Sequence, residues 1–282
     1  MPTSLLRLRN RKLLRARFGR LVRSITVYGG PSLFDGSPVE LVLSHLMFKP
    51  ANSKIGNMAQ AWIIARDEHP QEVIQQARKS KNHPVCGDCH AYQDKSCYVL
   101  SKYVASIWRG SRVRLNMEDP SDVRFLRLLL DGFFLRMGAY GDPMAIPAWL
   151  WLLLADMVTG HTGYTHAWSH ILSNRAKWAP TYKEYQHVLM ASVDSEQEYL
   201  AATDLGWRSF FVGGEEQGKV CPSFSHDVKC SACRLCDGLS RGSKRPSITI
   251  PAHGARAGSF TPSMKVSDLI AVSMPWLSKC AG

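Results

Sequence analysis

The chain has 282 residues, 45% of them hydrophobic and 21% charged, the proportions of an ordinary globular protein. Whole-chain disorder, collagen-like repeats and coiled coil are excluded, and the longest apolar run, Ala145 to Leu154, stops at Asp156 and is too short to span a bilayer. The net charge of +12 is uneven: residues 1–24 hold eight Lys/Arg and no acid, residues 25–237 hold 21 basic and 22 acidic residues, and residues 238–282 hold six basic and one acidic. A polyanion partner, nucleic acid above all, is therefore expected only through the two basic ends.

Taken in chain order, the first 24 residues lack the continuous apolar core of a signal peptide. Leu14, Phe18, Leu21 and Val22 fall at helical spacing among arginines, so residues 1–24 read as a basic amphipathic tail. It suits nucleic acid or an anionic membrane surface, and an organellar targeting peptide has the same composition. A translation start at Met47 or Met58 would make it incidental. Asn52-Ser53-Lys54-Ile55-Gly56 reads as a turn before a helix over Met58 to Ala65. Further helices are expected over Gln71 to Ser80 and over Val123 to Phe134, the latter with Leu126, Leu129, Leu130 and Phe134 as a core stripe.

Seven of the eight cysteines fall in two groups. Cys86, Cys89 and Cys97 form C-x2-C-x7-C, and Cys221, Cys230, Cys233 and Cys236 form C-x8-C-x2-C-x2-C. Disulfide frameworks belong to small secreted domains, so metal binding is the better reading of C-x2-C pairs in a chain of this size. The second group closes either a tetrahedral zinc site or a [4Fe-4S] cluster, and cysteines in steps of three favour iron–sulfur. Three cysteines in the first group leave one iron of a cubane open. A zinc site completed by His83 or His90 is the alternative. Cys280 is left over.

From Leu135 onward, strand-like segments ending in polar clusters alternate with helices: Leu135 to Tyr140, Pro147 to Val158, Gly163 to His166, Ala167 to Asn174, Val188 to Val193, Glu196 to Leu205, Trp207 to Val212 and Lys219-Val220. This predicts an α/β fold with a mainly parallel sheet, an open or partial (β/α) barrel spanning residues 48–238. Functional loops gather at the carboxyl ends of such strands. Asp142, Tyr164, Thr165, His166, Asp194 and Cys221 all follow strands, which places them in one expected site, with Asp194 and His166 as candidate acid and base. Residues 239–282 are expected to form a flexible basic tail, with a short helix over Val266 to Trp276. Walker A, G-x-G-x-x-G, G-x-S-x-G, H-E-x-x-H, zinc-deaminase and RNP signatures are absent from the sequence.

The ordered set Asn52-Ser53-Lys54-Ile55-Gly56, Cys86-Gly87-Asp88-Cys89, Ser96-Cys97-Tyr98-Val99, Tyr140-Gly141-Asp142-Pro143, Gly163-Tyr164-Thr165-His166, Ser192-Val193-Asp194-Ser195, Gly206-Trp207-Arg208 and Cys230-x2-Cys233-x2-Cys236 resembles an uncharacterised family of bacteriophages and mobile elements. That family is similar, more distantly, to phage proteins of radical-SAM-like type. The resemblance implies a cytoplasmic protein of a bacterial host with a [4Fe-4S] cluster on Cys86, Cys89 and Cys97. S-adenosylmethionine (SAM) would sit beside Tyr140, Gly141 and Asp142, and a second cluster or zinc on Cys221, Cys230, Cys233 and Cys236. Asp142, Tyr164, His166 and Asp194 would be the catalytic residues, with Tyr164, His166 and Asp194 lining the substrate pocket. The other expectation is a zinc-stabilised nucleic-acid-binding protein of phage or plasmid replication or regulation. Substrate and oligomeric state carry no sequence signal.

Overall fold

The computed structural model describes residues 2–48, 55–77, 83–89, 91, 97, 99, 101–110, 112–213, 218–240, 242 and 244–252. Asn52, Ser53, Lys54, His90, Tyr98, Gly214, Cys280, the helix expected over 266–276 and most of the C-terminal tail lie outside the described residues.

Helix α1 (Thr3–Phe18) ends at Gly19, whose φ of 66° lets its N–H close on Arg15 O. The basic segment expected as a tail is docked on the domain. Leu6 and Leu14 are buried in the main core, and Asn10 Nδ2 donates to Leu46 O and Leu129 O, at 3.2 and 2.8 Å. Arg7 donates to His45 O at 3.2 Å and to Asn57, Arg9 pairs with Asp131, and Arg17 pairs with Asp122 and lies over the Phe125 ring.

The chain then enters a ten-stranded sheet. Strands β1 (Ser24–Pro31), β2 (Pro38–Ser44) and β3 (Ala59–Ala65) pair antiparallel. Helix α2 (Pro70–Ala77), the first cysteine loop and α3 (Ser101–Arg109) lead to β4 (Arg112–Arg114), which pairs parallel to β1. Helix α4 (Pro120–Leu130) returns to β5 (Phe134–Tyr140), parallel to β3. Next come α5 (Ala148–Met157), β6 (Gly160–Thr165), α6 (His170–Ser173), α7 (Arg175–Val188), β7 (Met190–Val193), α8 (Glu196–Asp204) and β8 (Ser209–Val212). Last are β9 (Lys219–Val220), α9 (Pro222–Ser225), α10 (Cys230–Cys233) and β10 (Ile248–Ile250), which pairs between β8 and β9. The strand order is β4-β1-β2-β3-β5-β6-β7-β8-β10-β9. The sheet is open, and β3, β5, β6, β7, β8 and β10 are successive parallel neighbours in sequence order.

Met58 to Ala65, expected as a helix, is strand β3. All seven of its residues are buried between β2 and β5, and pairing on both edges overrides the helix preference of Met, Ala and Gln. The helix expected over Val123 to Phe134 stops at Leu130, and Phe134 begins β5. Among the described residues no helix is long and apolar enough to cross a membrane.

Register divides the sheet into two faces. Met137, Gly163, Thr165, Ala191, Val193 and Phe211 lie on one, packed in the main core with Tyr185, Ala201 and Ala202. Arg136, Thr162, Tyr164, Met190, Ser192 and Phe210 lie on the other. There Met190 joins a second, smaller core of Cys221, Cys236, Ile248 and Ile250.

Candidate functional site

The end of β5 is shaped by a glycine. Gly141 has φ of 83°, and a Cβ there would lie 2.6 Å from Ile63 Cβ and 2.8 Å from Val85 Cγ1, so only glycine brings the β5 end this close to β3 and the cysteine loop. The next residue, Asp142, donates its backbone N–H to Val85 O at 2.8 Å. Its buried carboxylate caps the 3-10 turn Pro143–Ala145. Oδ1 accepts from Met144 N at 2.9 Å and Thr165 Oγ1 at 2.7 Å, and Oδ2 accepts from His166 N at 2.7 Å and Ala167 N at 3.3 Å. A carboxylate has about four lone-pair sites. All four are occupied, so the side chain expected to bind cofactor or act in catalysis instead clasps the ends of β5 and β6. Trp168 Nε1 extends the link to β7 by donating to Ser192 O at 3.0 Å.

The first cysteine loop packs on this clasp. His83 orders it: Nδ1 accepts from the N–H groups of Val85 and Cys86, both at 3.2 Å, and Nε2 donates to Val73 O at 3.0 Å. Burial lowers the His83 pKa, which keeps the ring neutral with the proton on Nε2. Both ring nitrogens are engaged, so His83, expected as a fourth metal ligand, is a loop anchor. Cys89 N closes a turn on Cys86 O at 3.2 Å. Between them Asp88 accepts from His170 Nε2 at 2.8 Å, fixing the loop to α6. Burial first, then the Asp142, Asp194 and Asp88 carboxylates, push the Cys89 thiol up to about 12.

Asp194 is buried after β7, and its N–H donates to Glu198 Oε2 at 2.8 Å, while Ser195 Oγ accepts from Glu198 N at 3.3 Å. This is a variant of the capping box at the start of α8. Glu198 went unnoticed in the sequence, although Ser-x-x-Glu before a helix is its ordinary signature.

His166 falls after the end of β6, and Tyr164 lies on the opposite sheet face from Thr165, because successive side chains in a strand alternate. It belongs to the second cysteine group. Its ring lies 4.4 Å from that of Phe210, and its hydroxyl bonds to the Cys236 thiol. Burial, first, and the Cys236 and Cys230 sulfurs raise its pKa well above the ordinary value. Cys230 and Cys233 bracket α10, and Arg234 adopts the left-handed conformation with φ of 54°, turning the chain so that Cys236 O accepts from Gly163 N at 3.0 Å. Burial raises the Cys230 and Cys236 thiols, and neighbouring thiols of the group raise them further; Arg136 opposes this at Cys230.

Arg208 holds the second group in place and was not singled out as a site residue from sequence. All five of its N–H donors are used. Nε donates to Arg245 O at 3.1 Å, one terminal nitrogen to Asp237 Oδ1 at 3.1 Å and to Gly238 O, and the other to Leu235 O at 2.7 Å and Pro246 O at 2.8 Å. One guanidinium thus braces both sides of Cys236. Arg136 was also missed; a lone arginine in the apolar run Phe134 to Tyr140 was the available signal.

The structure therefore has two centres. Asp142, Thr165, His166 and the Cys86–Cys89 turn meet at the strand ends, and Tyr164 packs with Cys221 and Cys236 of the second group, on the sheet face that Arg136 shares. The seven cysteines of the two groups, Cys97 included, are free thiols. Among the described residues, no three His, Cys, Asp or Glu side chains stand in an arrangement that holds a metal ion. Comparison with family models, with curated proteins and with solved structures gives no match.

Proposed function

We propose that the protein is a metal-cluster enzyme of radical-SAM-like type from a mobile-element family. Cys86, Cys89 and Cys97 would hold a [4Fe-4S] cluster, and Cys221, Cys230, Cys233 and Cys236 a second cluster or zinc. The observation that carries the reading is the tie between Asp142 N and Val85 O. It sets the Cys86–Cys89 turn, downstream of the first strand of the parallel series, against Tyr140-Gly141-Asp142-Pro143, which follows the second. The donor sets suit the metals: three thiols leave one iron open, and four close a site. An iron–sulfur cluster in the first loop would supply the electron that cleaves SAM.

The chain's own residues take the remaining roles. Asp142 positions the strand ends and leaves contact with SAM to the backbone of Tyr140 and Gly141. Asp194 and His166 serve as proton-transfer groups, and Tyr164 donates to the Cys236 sulfur. The test is reductive SAM cleavage by anaerobically reconstituted protein. Wild type is expected to form 5′-deoxyadenosine, Cys89→Ala is expected to form none, and Tyr164→Phe is expected to retain the reaction. A wild type that carries iron–sulfur but never cleaves SAM would contradict the reading.

A further inference from the structure

Docking α1 sorts its basic residues into two sets. Arg7, Arg9, Arg11 and Arg17 are engaged with the fold: Arg7 with His45 O, Arg9 with Asp131, Arg11 with Met47 O at 3.0 Å, and Arg17 with Asp122. Lys12, Arg15, Arg20 and Arg23 are exposed, and the structure gives none of the four an acidic partner among the described residues. Lys12 and Arg15 lie one turn apart on the outward helix face, and Arg20 and Arg23 follow on the segment between Gly19 and β1. The body carries almost no net charge over residues 25–237, so this edge is a concentration of positive charge, half of it on the docked helix and half on the segment that joins it to β1.

We infer that this edge of the fold, Lys12, Arg15, Arg20 and Arg23, binds the phosphate backbone of nucleic acid. The alternative polyanion, an anionic membrane, requires a broad apolar face on the helix. Leu6 and Leu14, 2% and 0% exposed, are already used against the domain, and only Leu5 and Leu8 of α1's large apolar residues are exposed. What α1 offers outward is mainly charge, and with Arg20 and Arg23 beside it the edge presents four cations, which suits the phosphates of a duplex. The contact is independent of sequence and of either cysteine group.

Four phosphate contacts give a slope of log K against log[salt] of about −3.6 on duplex DNA, roughly a hundredfold loss of affinity between 50 and 200 mM salt. The experiment measures fluorescence anisotropy of a labelled duplex of arbitrary sequence across that salt range. The Lys12→Gln/Arg15→Gln/Arg20→Gln/Arg23→Gln variant is expected to flatten the slope by about 3.6, and the double variant Arg20→Gln/Arg23→Gln, outside the helix, by about 1.8. A control variant with the same loss of charge at Lys102, Arg109, Lys183 and Lys219, all exposed elsewhere, is expected to change it by less than about 1. Equal effects of the two quadruple variants would overturn the inference, since net charge alone would then explain binding. So would tight binding to phosphatidylserine vesicles with no measurable binding to the duplex.

Discussion

Replacing Asp142 by asparagine probes the clasp directly. The wild-type carboxylate accepts four hydrogen bonds in a buried setting, two on each oxygen. Asparagine keeps one oxygen, and its best fit leaves that oxygen facing His166 N and Ala167 N. The amide nitrogen then faces Met144 N and Thr165 Oγ1. The threonine hydroxyl can turn to accept, but Met144 N–H cannot. One backbone donor is left unpaired against another donor, and the charge that strengthened the remaining bonds is gone. An orphaned buried donor costs about 1–3 kcal/mol and a hydrogen bond to a charged group contributes about 1.5–3, so a total loss of about 3 kcal/mol follows. Asp142→Ala removes all four acceptors and should cost roughly 5 kcal/mol on the same figures. Urea unfolding of the purified chain at pH 7, followed by far-UV circular dichroism, measures both. A stability of Asp142→Asn within about 0.5 kcal/mol of wild type would refute the reasoning and return Asp142 to the role of a ligand-binding carboxylate.

Three further outcomes are expected. Arg208→Lys keeps the charge but cannot reproduce five donors in a fork; it should destabilise the chain by about 2–4 kcal/mol on the scale of a broken buried pair, and mass-mapped alkylation of Cys236 should accelerate relative to Cys89, whereas uniform reactivity would argue against bracing. His45 has its pKa lowered to about 4 by burial, with Arg7 adding. Its neutral form is favoured by folding, so its contribution is complete above pH 6.5 and is lost as pH falls toward 4, in total about 3 kcal/mol. Since His45 has φ of 63°, which asparagine tolerates, His45→Asn should flatten the stability profile between pH 6.5 and 4, and an unchanged profile would contradict the assignment. Gly141→Ala forces a Cβ to 2.6 Å from Ile63 Cβ at φ of 83° and should cost at least about 2 kcal/mol; a neutral effect in thermal unfolding would mean that β5 and the cysteine loop are not closely packed.

The second half of the fold was legible because its strands end in recognisable punctuation. Tyr140-Gly141-Asp142-Pro143 and Val193-Asp194-Ser195 mark boundaries that the structure keeps at Tyr140 and Val193. The first half was not. Strand β3 is buried along its whole length and so lacks the alternation that distinguishes a strand, and its composition favours a helix. Proximity in sequence also misled at Tyr164 and His166: Tyr164 packs under the second cysteine group, while the His166 N–H is held by Asp142. Asp142 looked like a reactive carboxylate because three of its four donors come from a segment more than twenty residues later. Local spacing carries no trace of those partners. The basic amphipathic pattern of residues 1–24 is helical only over Thr3–Phe18, and Leu21 and Val22, read as part of the same helix, lie beyond Gly19; that the segment docks through Asn10 on Leu46 O and Leu129 O is fixed by tertiary packing.

The central claim, that the two cysteine groups hold metal clusters, is tested most directly by anaerobic purification followed by iron, zinc and labile-sulfide determination on wild type and on Cys86→Ala/Cys89→Ala and Cys233→Ala/Cys236→Ala. Two four-iron clusters give about eight irons with matching sulfide in wild type, and about four in each double variant. With zinc at the second group, wild type carries about four irons and one zinc, and only the second variant loses the zinc. Protein that contains neither iron nor zinc, or metal unaffected by both pairs of substitutions, would contradict the account.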